Sequence, residues 1–284
     1  MKPTVFTVPY GEQVHYVPAG CLHWPVGEKD MLRRWVKEMQ RLPNAFTILM
    51  GDTQDCARTH YRDHVRGYRA DQNSQLALDE WVRRDVGDLA RELMPIRGQI
   101  AGAILGNHLW EFADGTNSEQ YLCQLLRIPY LGPTGIVCLD FRDKGGKGRC
   151  RLQQVIYAHH HGGSMGGRTT GADVNALERS ELVFDADIYT LSHTHRRFGF
   201  KLPKLGVTSK GQRRLVERTK VFVRSGAFLK GFGEDNPGTS KPHIPSYAES
   251  KALRPTDLGW VTVGIYARGD SGGDSGRVDY TVSY

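Results

Sequence analysis

Apolar and polar positions alternate along the chain in patterns typical of helices and strands. In residues 28–41 apolar side chains recur at every fourth position with others beside them, which predicts an amphipathic helix. Residues 74–93 predict a second helix, opened by a serine that can cap it. Residues 45–50 form a continuous apolar run, which predicts a central strand covered on both faces.

The remaining apolar runs predict a strand-rich second half. Residues 1–12 are predicted to form an irregular arm, and 56–73 a polar insertion loop. Strands are predicted at 13–17, 100–105, 136–141, 150–158, 187–191, 220–224, 260–266 and 277–284, and helices at 117–126 and 173–184. Strand-helix alternation followed by strands favours two stacked sheets with outer helices, in a single α/β domain over 1–284. A polar insertion is expected around 56–95 and a strand-rich part over 196–284.

Composition narrows the class of protein. The apolar runs are too short to span a bilayer, and the start lacks the apolar core of a signal peptide. Five cysteines without a Cys-x-x-Cys pair argue for a reducing compartment, so a cytoplasmic protein without a membrane partner is expected. The net charge is +7, and residues 196–230 carry eleven Lys or Arg against one Glu. This charge makes nucleic acid a candidate partner, although a solvated loop and strand edge also fits.

Polar residues follow several of the predicted strands. Gly51 precedes Asp52, whose two oxygens could bridge two cations, and Gly106 precedes Asn107 and His108. Taken alone, each of these is an ordinary turn signal. In α/β folds, however, ligand sites collect at the carboxyl ends of strands.

Histidines concentrate at the same strand ends. Seven of the eleven histidines lie in these stretches. His193 and His195 are two residues apart, so in an extended chain both rings point the same way. The same alternation predicts that His159 and His161 share a face and that His160 does not. Mixed N and O ligands of this kind suit borderline divalent ions.

The order of the motifs resembles a known superfamily. Between residues 20 and 195 the chain has Cys-x-His, Gly-Asp-x-x-Asp, Gly-Asn-His, His-Gly and His-x-His. This order resembles that of the calcineurin-like metallophosphoesterases, which have Asp-x-His, Gly-Asp-x-x-Asp, Gly-Asn-His-Asp/Glu, His and Gly-His-x-His. Residues 224–229 and 246–249 are similar to bacteriophage and bacterial members. The resemblance implies a four-layer α/β/β/α sandwich of two mixed β-sheets flanked by helices, with a dinuclear metal centre at the strand ends.

The resemblance also implies a role for individual residues. The first metal would be held by Cys21, His23, Asp52 and His195. The second would be held by Asp52, Asn107, His193 and one histidine of the 159–161 run. Ending the strand after Ala158 favours His159 as that histidine, whereas the His-Gly pattern favours His161. Asp52 would bridge the two ions, which are expected to be Mn, Zn or Fe.

Catalytic and substrate-binding roles follow from the same comparison. His108, beside Asn107, would contact the phosphoryl group and protonate the leaving oxygen. Arg168, Arg196 and Arg197 are close in sequence to the ligands and could neutralise phosphate oxygens, with Arg196 as a catalytic group, or could be solvated surface side chains.

Three residues depart from the superfamily pattern. Cys21 stands where the superfamily has Asp, and a softer thiolate favours Zn or Fe over Mn. Leu109 replaces the acid after Gly-Asn-His, although Glu111 is close enough to substitute. Ser192 replaces the glycine before His-x-His.

Three functions are compatible with these observations. The first is metal-dependent hydrolysis of phosphate esters, with diesters ahead of monoesters and nucleic acid as a candidate substrate. The second is a phosphomonoesterase acting on phosphoprotein or nucleotide. The third is a catalytically weakened, metal-binding homologue that binds nucleic acid, with Cys21 marking the lost activity.

Overall fold

Two β-sheets form the centre of the molecule. A computed structural model describes residues 3–55, 72–161, 169–207, 213, 215–232, 249, 252, 254–268 and 277–284. The strands are β1 Thr4–Pro9, β2 Gln13–Tyr16, β3 Ala45–Leu49, β4 Ile100–Ile104, β5 Tyr130–Gly132, β6 Thr134–Arg142, β7 Cys150–His159, β8 Ile188–Leu191, β9 Arg197–Val207, β10 Leu215–Ala227, β11 Gly259–Trp260, β12 Thr262–Arg268 and β13 Arg277–Ser283.

Both sheets are mixed. In the first sheet the order is β1-β6-β7-β8-β10-β11, with β9 paired to β10. Strands β7, β8 and β10 run parallel there, and β9 is antiparallel to β10. In the second sheet the order is β13-β12-β2-β3-β4-β5, with β2 to β5 parallel. The parallel strands of each sheet bring their carboxyl ends to one edge.

Five helices accompany the sheets in the described part of the chain, together with a 3₁₀ turn at Met94–Gln99. They are α1 Lys29–Arg41, α2 Gln72–Leu93, α3 Ser118–Leu126, the single turn α4 Asp143–Gly146, and α5 Thr170–Ser180. In α3, Asn117 accepts from the Gln120 backbone N–H and the Gln120 side chain accepts from the Asn117 N–H, a reciprocal cap.

Three apolar clusters separate four layers. The first joins α1, α2 and α3 to the second sheet, with Trp35 and Leu89 in its centre. The second fills the space between the sheets and includes Phe46 and Val137. The third lies between α5 and the outer face of the first sheet around Leu177. The order helix, sheet, sheet, helix confirms the predicted sandwich, since each cluster is the contact between two neighbouring layers.

The structure corrects three predicted elements. The irregular arm predicted for residues 1–12 is replaced over Thr4–Pro9 by strand β1, which pairs parallel with β6 along its whole length. Residues 197–207 form strand β9, which was not predicted. The helix predicted to reach residue 184 ends at Ser180. Each error concerns an edge strand or an element boundary, where tertiary pairing decides the structure.

Other sequence expectations concern regions described only in part. The loop expected at 56–73 lies almost wholly outside the described residues, while Gln72–Leu93 is the helix α2. The described cysteines, Cys21, Cys123, Cys138 and Cys150, are free thiols. None of the helices in the described part of the chain is long and apolar enough to cross a bilayer.

Candidate metal centre

The predicted polar residues meet where the parallel strands end. Asp52 follows β3, Asn107 follows β4, His160 follows β7, and His193 follows β8. Cys21 follows β2 through a bridge that pairs Ala19 with Leu49. The group therefore lies across the carboxyl edges of both sheets.

The backbone at this edge adopts a conformation that non-glycine residues rarely take. Cys21, His23, Asp52, His193 and His195 all have positive φ, between 49° and 73°. In the described part of the chain, only eight non-glycine residues have positive φ. Each such residue costs about 1–3 kcal/mol and persists only where the surroundings hold it. Strain of this kind clusters at functional sites.

Two glycines allow the loops to approach one another. A Cβ at Gly106 would overlap the backbone nitrogen and carboxylate of Asp52. A Cβ at Gly20 would overlap the Ser192 hydroxyl. The glycines of two predicted motifs are thus required by the packing of one loop on the next.

Asp52 is buried at the centre of the group. Its Oδ1 accepts the backbone N–H groups of Asn107 at 2.7 Å and His108 at 2.8 Å. Its Oδ2 lies 3.0 Å from His160 Nε2. Burial raises the pKa of Asp52, but the charge and hydrogen bond of His160, with His23, lower it well below the usual range. The carboxylate is therefore ionised at neutral pH.

His160 presents a lone pair to this carboxylate when neutral. Its Nδ1 lies 2.7 Å from the Met50 carbonyl, which can only accept, so Nδ1 carries the proton. Its Nε2 then faces two acceptors, Asp52 Oδ2 and Asn107 Oδ1, each at 3.0 Å. Three lone pairs converge, and a cation, either a proton or a metal ion, must lie among them. Metal-binding histidines typically donate their second nitrogen to a carbonyl in this way.

The histidine run is oriented differently from the sequence prediction. His159 faces away, because its Nδ1 lies 2.9 Å from the Pro133 carbonyl and 3.0 Å from the Thr134 hydroxyl. His160, which was expected to face away, is the one that contacts Asp52. The reason is that β7 continues through His159, one residue beyond the predicted end. His161 is exposed, but a ring nitrogen lies within 4.8 Å of ligand atoms of His160 and His193.

A second group of possible ligand atoms lies beside Asp52. Cys21, His23 and His195 each place one ligand atom within 4.8 Å of the other two. The Nε2 atoms of His23 and His195 are 3.1 Å apart, so at most one of them can donate. Cys21 Sγ also lies within 4.8 Å of ligand atoms of Asp52 and His160. Both groups fit a cation, since each brings together N, O or S atoms of the kind that ligate divalent metal ions.

Two of the histidines around Asp52 have lowered pKa values. Burial, reinforced by the nearby His160 and His161, lowers the pKa of His193 to about 3. Burial and the neighbouring His23 lower the pKa of His195 well below its usual value. Both rings are therefore neutral near pH 7, which is the form that binds metal ions.

Asp55 orients two of the histidines, a role that was not predicted. Its Oδ1 accepts from His108 Nδ1 at 3.1 Å, and its Oδ2 lies 3.4 Å from His23 Nδ1. Asp55 is the second acid of the Gly-Asp-x-x-Asp motif, so the signal was in the sequence.

Glu111, predicted to substitute for the acid after Gly-Asn-His, is exposed, and its backbone forms an antiparallel bridge with Asn117. His108 Nε2 lies 4.0 Å from Asp52 Oδ2.

Two of the three arginines predicted to bind phosphate lie in the described part of the chain, and each forms an ion pair with an aspartate. Arg196 Nη1 lies 2.9 Å from Asp173 Oδ2 in an ion pair that the sequence did not predict. Arg197 Nε lies 3.6 Å from Asp257 Oδ1. Arg168 lies outside the described residues. Their roles toward phosphate stay predictions.

A buried acid lies behind the Gly-Asn-His loop. Ser118 Oγ accepts the Trp110 backbone N–H and donates to Glu119 Oε2 at 2.9 Å, while Glu119 Oε1 is buried without a hydrogen-bond partner. Burial raises the pKa of Glu119 to about 7, and the charge of Asp52 adds to the shift.

We expect Glu119 to make the metal-free protein less stable as the pH rises. Its pKa is 4.5 unfolded and about 7 folded, so the unfolded chain releases the proton first. The free energy of unfolding should fall between pH 4.5 and 7, by up to about 3 kcal/mol. Urea unfolding at pH 4.5, 6 and 8 measures this, and Glu119→Gln should remove the loss. The exposed Glu111→Gln is the control and should keep it; an unchanged slope in Glu119→Gln would contradict the prediction.

No protein-family model and no curated protein sequence match the chain. Several solved structures, however, are similar to the chain. A protein of Streptococcus pneumoniae TIGR4, described as a predicted phosphoesterase, is 10% identical over 95% of this chain and 89% of that one, with a TM-score of 0.33. Vacuolar Protein Sorting 29 from Cryptosporidium parvum is 14% identical over 95% and 98%, with a TM-score of 0.35.

A third similar structure is an enzyme by its description. The NAD nucleotidase of Haemophilus influenzae is 12% identical over 96% of this chain and 49% of that one, with a TM-score of 0.35.

Proposed function

We propose that the chain is a phosphoesterase that uses two divalent cations and hydrolyses phosphodiesters. The observation that carries this proposal is the pair of acceptor groups that meet at Asp52. One group is Cys21, His23 and His195, and the other includes His160 and His193. Asn107 Oδ1 lies 3.0 Å from His160 Nε2 and belongs with the second group.

The donor set favours cations of borderline character. Imidazole and thiolate suit Zn, Fe or Co, while carboxylate and amide oxygens also accept Mn. Two such ions when bound would polarise the phosphoryl oxygens and lower the pKa of an attacking water. Asp52 would contribute its negative charge to both groups.

The protein's own residues would position the substrate and move a proton. His108 donates Nδ1–H to Asp55, which turns Nε2 toward Asp52 and the acceptor groups. With a second proton on Nε2, the imidazolium form of His108 would hold a phosphoryl oxygen and then give this proton to the leaving oxygen. Burial lowers the pKa of His108, while the hydrogen bond to Asp55 acts in favour of the protonated form. Asp55 fixes the ring orientation that this step requires.

A diester fits the charge of the site better than a monoester. A monoester carries about two negative charges at neutral pH and benefits from additional cations. Arg196, the predicted extra cation, lies against the carboxylate of Asp173. Other ion pairs of the basic stretch join Lys204 to Glu181, Lys220 to Asp185 and Arg197 to Asp257. These pairs lower the positive charge offered to a long nucleic acid, so we propose a small diester first and nucleic acid second.

The test is hydrolysis of an aryl phosphodiester and the matching monoester with Mn, Zn, Fe, Co or Mg. We expect turnover with at least one ion, loss on chelation, recovery on adding the ion back, and faster hydrolysis of the diester. Single-stranded and double-stranded oligonucleotides form a second arm. Absence of turnover with every ion would overturn the proposal, and faster monoester hydrolysis would overturn the diester assignment.

Replacing Cys21 with Asp should change the metal preference. Cys21 is buried with Sγ 3.3 Å from Ser192 Oγ, and burial, together with the charge of Asp52, raises the pKa of its thiol. A carboxylate there is a harder ligand, and its intrinsic pKa is much lower than that of a thiol. We expect Cys21→Asp to raise Mn-dependent activity about tenfold relative to Zn-dependent activity, the lower end of effects from altered metal surroundings. Metal-dependent rates of both proteins measure this ratio.

The matched control is Cys21→Ser. Serine has nearly the size of cysteine but is a weak neutral ligand, so activity should fall with every ion. If Cys21→Asp lowers the Mn-dependent rate as serine does, Cys21 does not act as a metal ligand.

A further inference from the structure

One carboxylate connects the two ends of the loop that carries His193 and His195. Asp173 Oδ1 lies 3.0 Å from Arg224 Nη2, and Asp173 Oδ2 lies 2.9 Å from Arg196 Nη1. Arg224 Nη1 in turn donates to the Ser192 carbonyl at 2.8 Å. Ser192 precedes His193, and Arg196 follows His195. The loop is thus held at both ends through a single side chain of α5.

These contacts are in the interior. The Asp173 side chain is 3% exposed and the Arg224 side chain 1% exposed, while Arg196 is 18% exposed. A buried guanidinium without a counter-charge is strongly unfavourable. The Asp173 carboxylate supplies that counter-charge to the buried Arg224 and to the partly buried Arg196. Each oxygen of Asp173 forms an ion pair with a different guanidinium group, so this one carboxylate holds both arginines in place.

The loop needs such support because its backbone is strained. His193 and His195 have φ of 73° and 54°. Backbone hydrogen bonds hold its edges, from Ser192 N–H to the His160 carbonyl at 3.3 Å and from Asp257 N–H to the His195 carbonyl at 2.9 Å. Positive φ at both histidines turns each ring toward a different acceptor group, so a relaxed loop would lose both rings at once.

We propose that Asp173 is a positioning residue of the metal centre, which fixes the loop of His193 and His195 by holding Arg196 and Arg224 on one carboxylate. The inference rests on the proposed function. It also gives Arg196 a role different from the phosphate contact that the sequence predicts.

The test measures metal affinity and loop opening separately in Asp173→Asn. Competition of Zn and Co against a chromogenic chelator should show affinity weakened about 10–100-fold, as for other residues that orient metal ligands. Hydrogen exchange of the amides of 192–196 in metal-free protein should become at least about tenfold faster. Asp185→Asn is the matched control, because it removes the same charge from an exposed carboxylate, which pairs with Lys220. It should leave both values within about twofold of the parent.

Arg196→Gln provides a second variant with a milder change. If Arg196 positions the loop, metal affinity falls and KM at saturating metal stays within about twofold of the parent. If Arg196 instead holds the substrate phosphate, KM rises and metal affinity is unchanged, which overturns its part in the proposal. Should Asp173→Asn fail to fold, metal affinity and hydrogen exchange of the amides of 192–196 in Arg196→Gln test the inference instead.

The outcomes separate this inference from the proposed function. Parent protein that binds ions but hydrolyses nothing contradicts the proposed function and leaves the metal and exchange measurements valid. If the parent protein binds no ion, it has no metal centre, and both the proposed function and this inference are wrong. Metal affinity and exchange both at parent values in Asp173→Asn overturn the inference alone.

Discussion

Asp52→Asn is expected to lower kcat/KM for the diester about 1,000-fold. Removing one charge from a buried pair costs about 3–5 kcal/mol, and each 1.36 kcal/mol is tenfold in rate. Asn keeps an oxygen for the N–H groups of Asn107 and His108, which Asp52 Oδ1 now accepts. The fold should therefore survive while the charge shared by the two acceptor groups is lost. Steady-state kinetics at saturating metal, with a metal titration beside it, measure the effect.

The control for Asp52→Asn is a carboxylate outside the centre. Asp79 is buried and accepts the Trp110 indole N–H at 2.8 Å and the Ala113 backbone N–H at 2.9 Å. Asp79→Asn should lower stability without a comparable loss of kcat/KM at saturating metal. A loss below about tenfold in Asp52→Asn would show that this carboxylate is not the shared group, and the two-cation proposal would then lose its central residue.

The sequence predicted which loops meet but not which side chains face inward. Gly106 and Asn107 were identified from a short motif, and this identification does not depend on the exact residue at which β4 ends. The choice among His159, His160 and His161 depends on the last residue of β7, because side chains alternate along a strand. An error of one residue reverses the facing histidine. Ligation by any of these residues stays a prediction.

Contacts between distant segments were not predictable from local pattern. Strand β1 is an edge strand whose short alternation carries little signal until β6 is beside it. The Asp173 contacts join α5 to Arg196 and Arg224, and nothing in the spacing of these residues indicates that they meet. Asp55 was visible in its motif, but its role depends on where His108 points. Long-range polar pairs require the fold to be known first.

His108→Gln is expected to slow hydrolysis according to the leaving group. His108 Nδ1 donates to Asp55 Oδ1 at 3.1 Å, so Nε2 is the atom turned toward the acceptor groups. Loss of a positioned general acid typically costs about 10²–10⁴ in rate for a leaving group that must be protonated. A nitrophenolate leaves without protonation, and its release should slow far less. Comparing kcat for alkyl and nitrophenyl diesters measures this difference directly.

The matched variant for His108→Gln is Asp55→Asn, which keeps the ring but disturbs its orientation. It should show the same dependence on the leaving group with a smaller loss, because the imidazole is still present and only its alignment changes. Equal losses for alkyl and nitrophenyl diesters in His108→Gln would mean that His108 holds the phosphoryl group without delivering a proton. The proton on the leaving oxygen would then have to come from another donor.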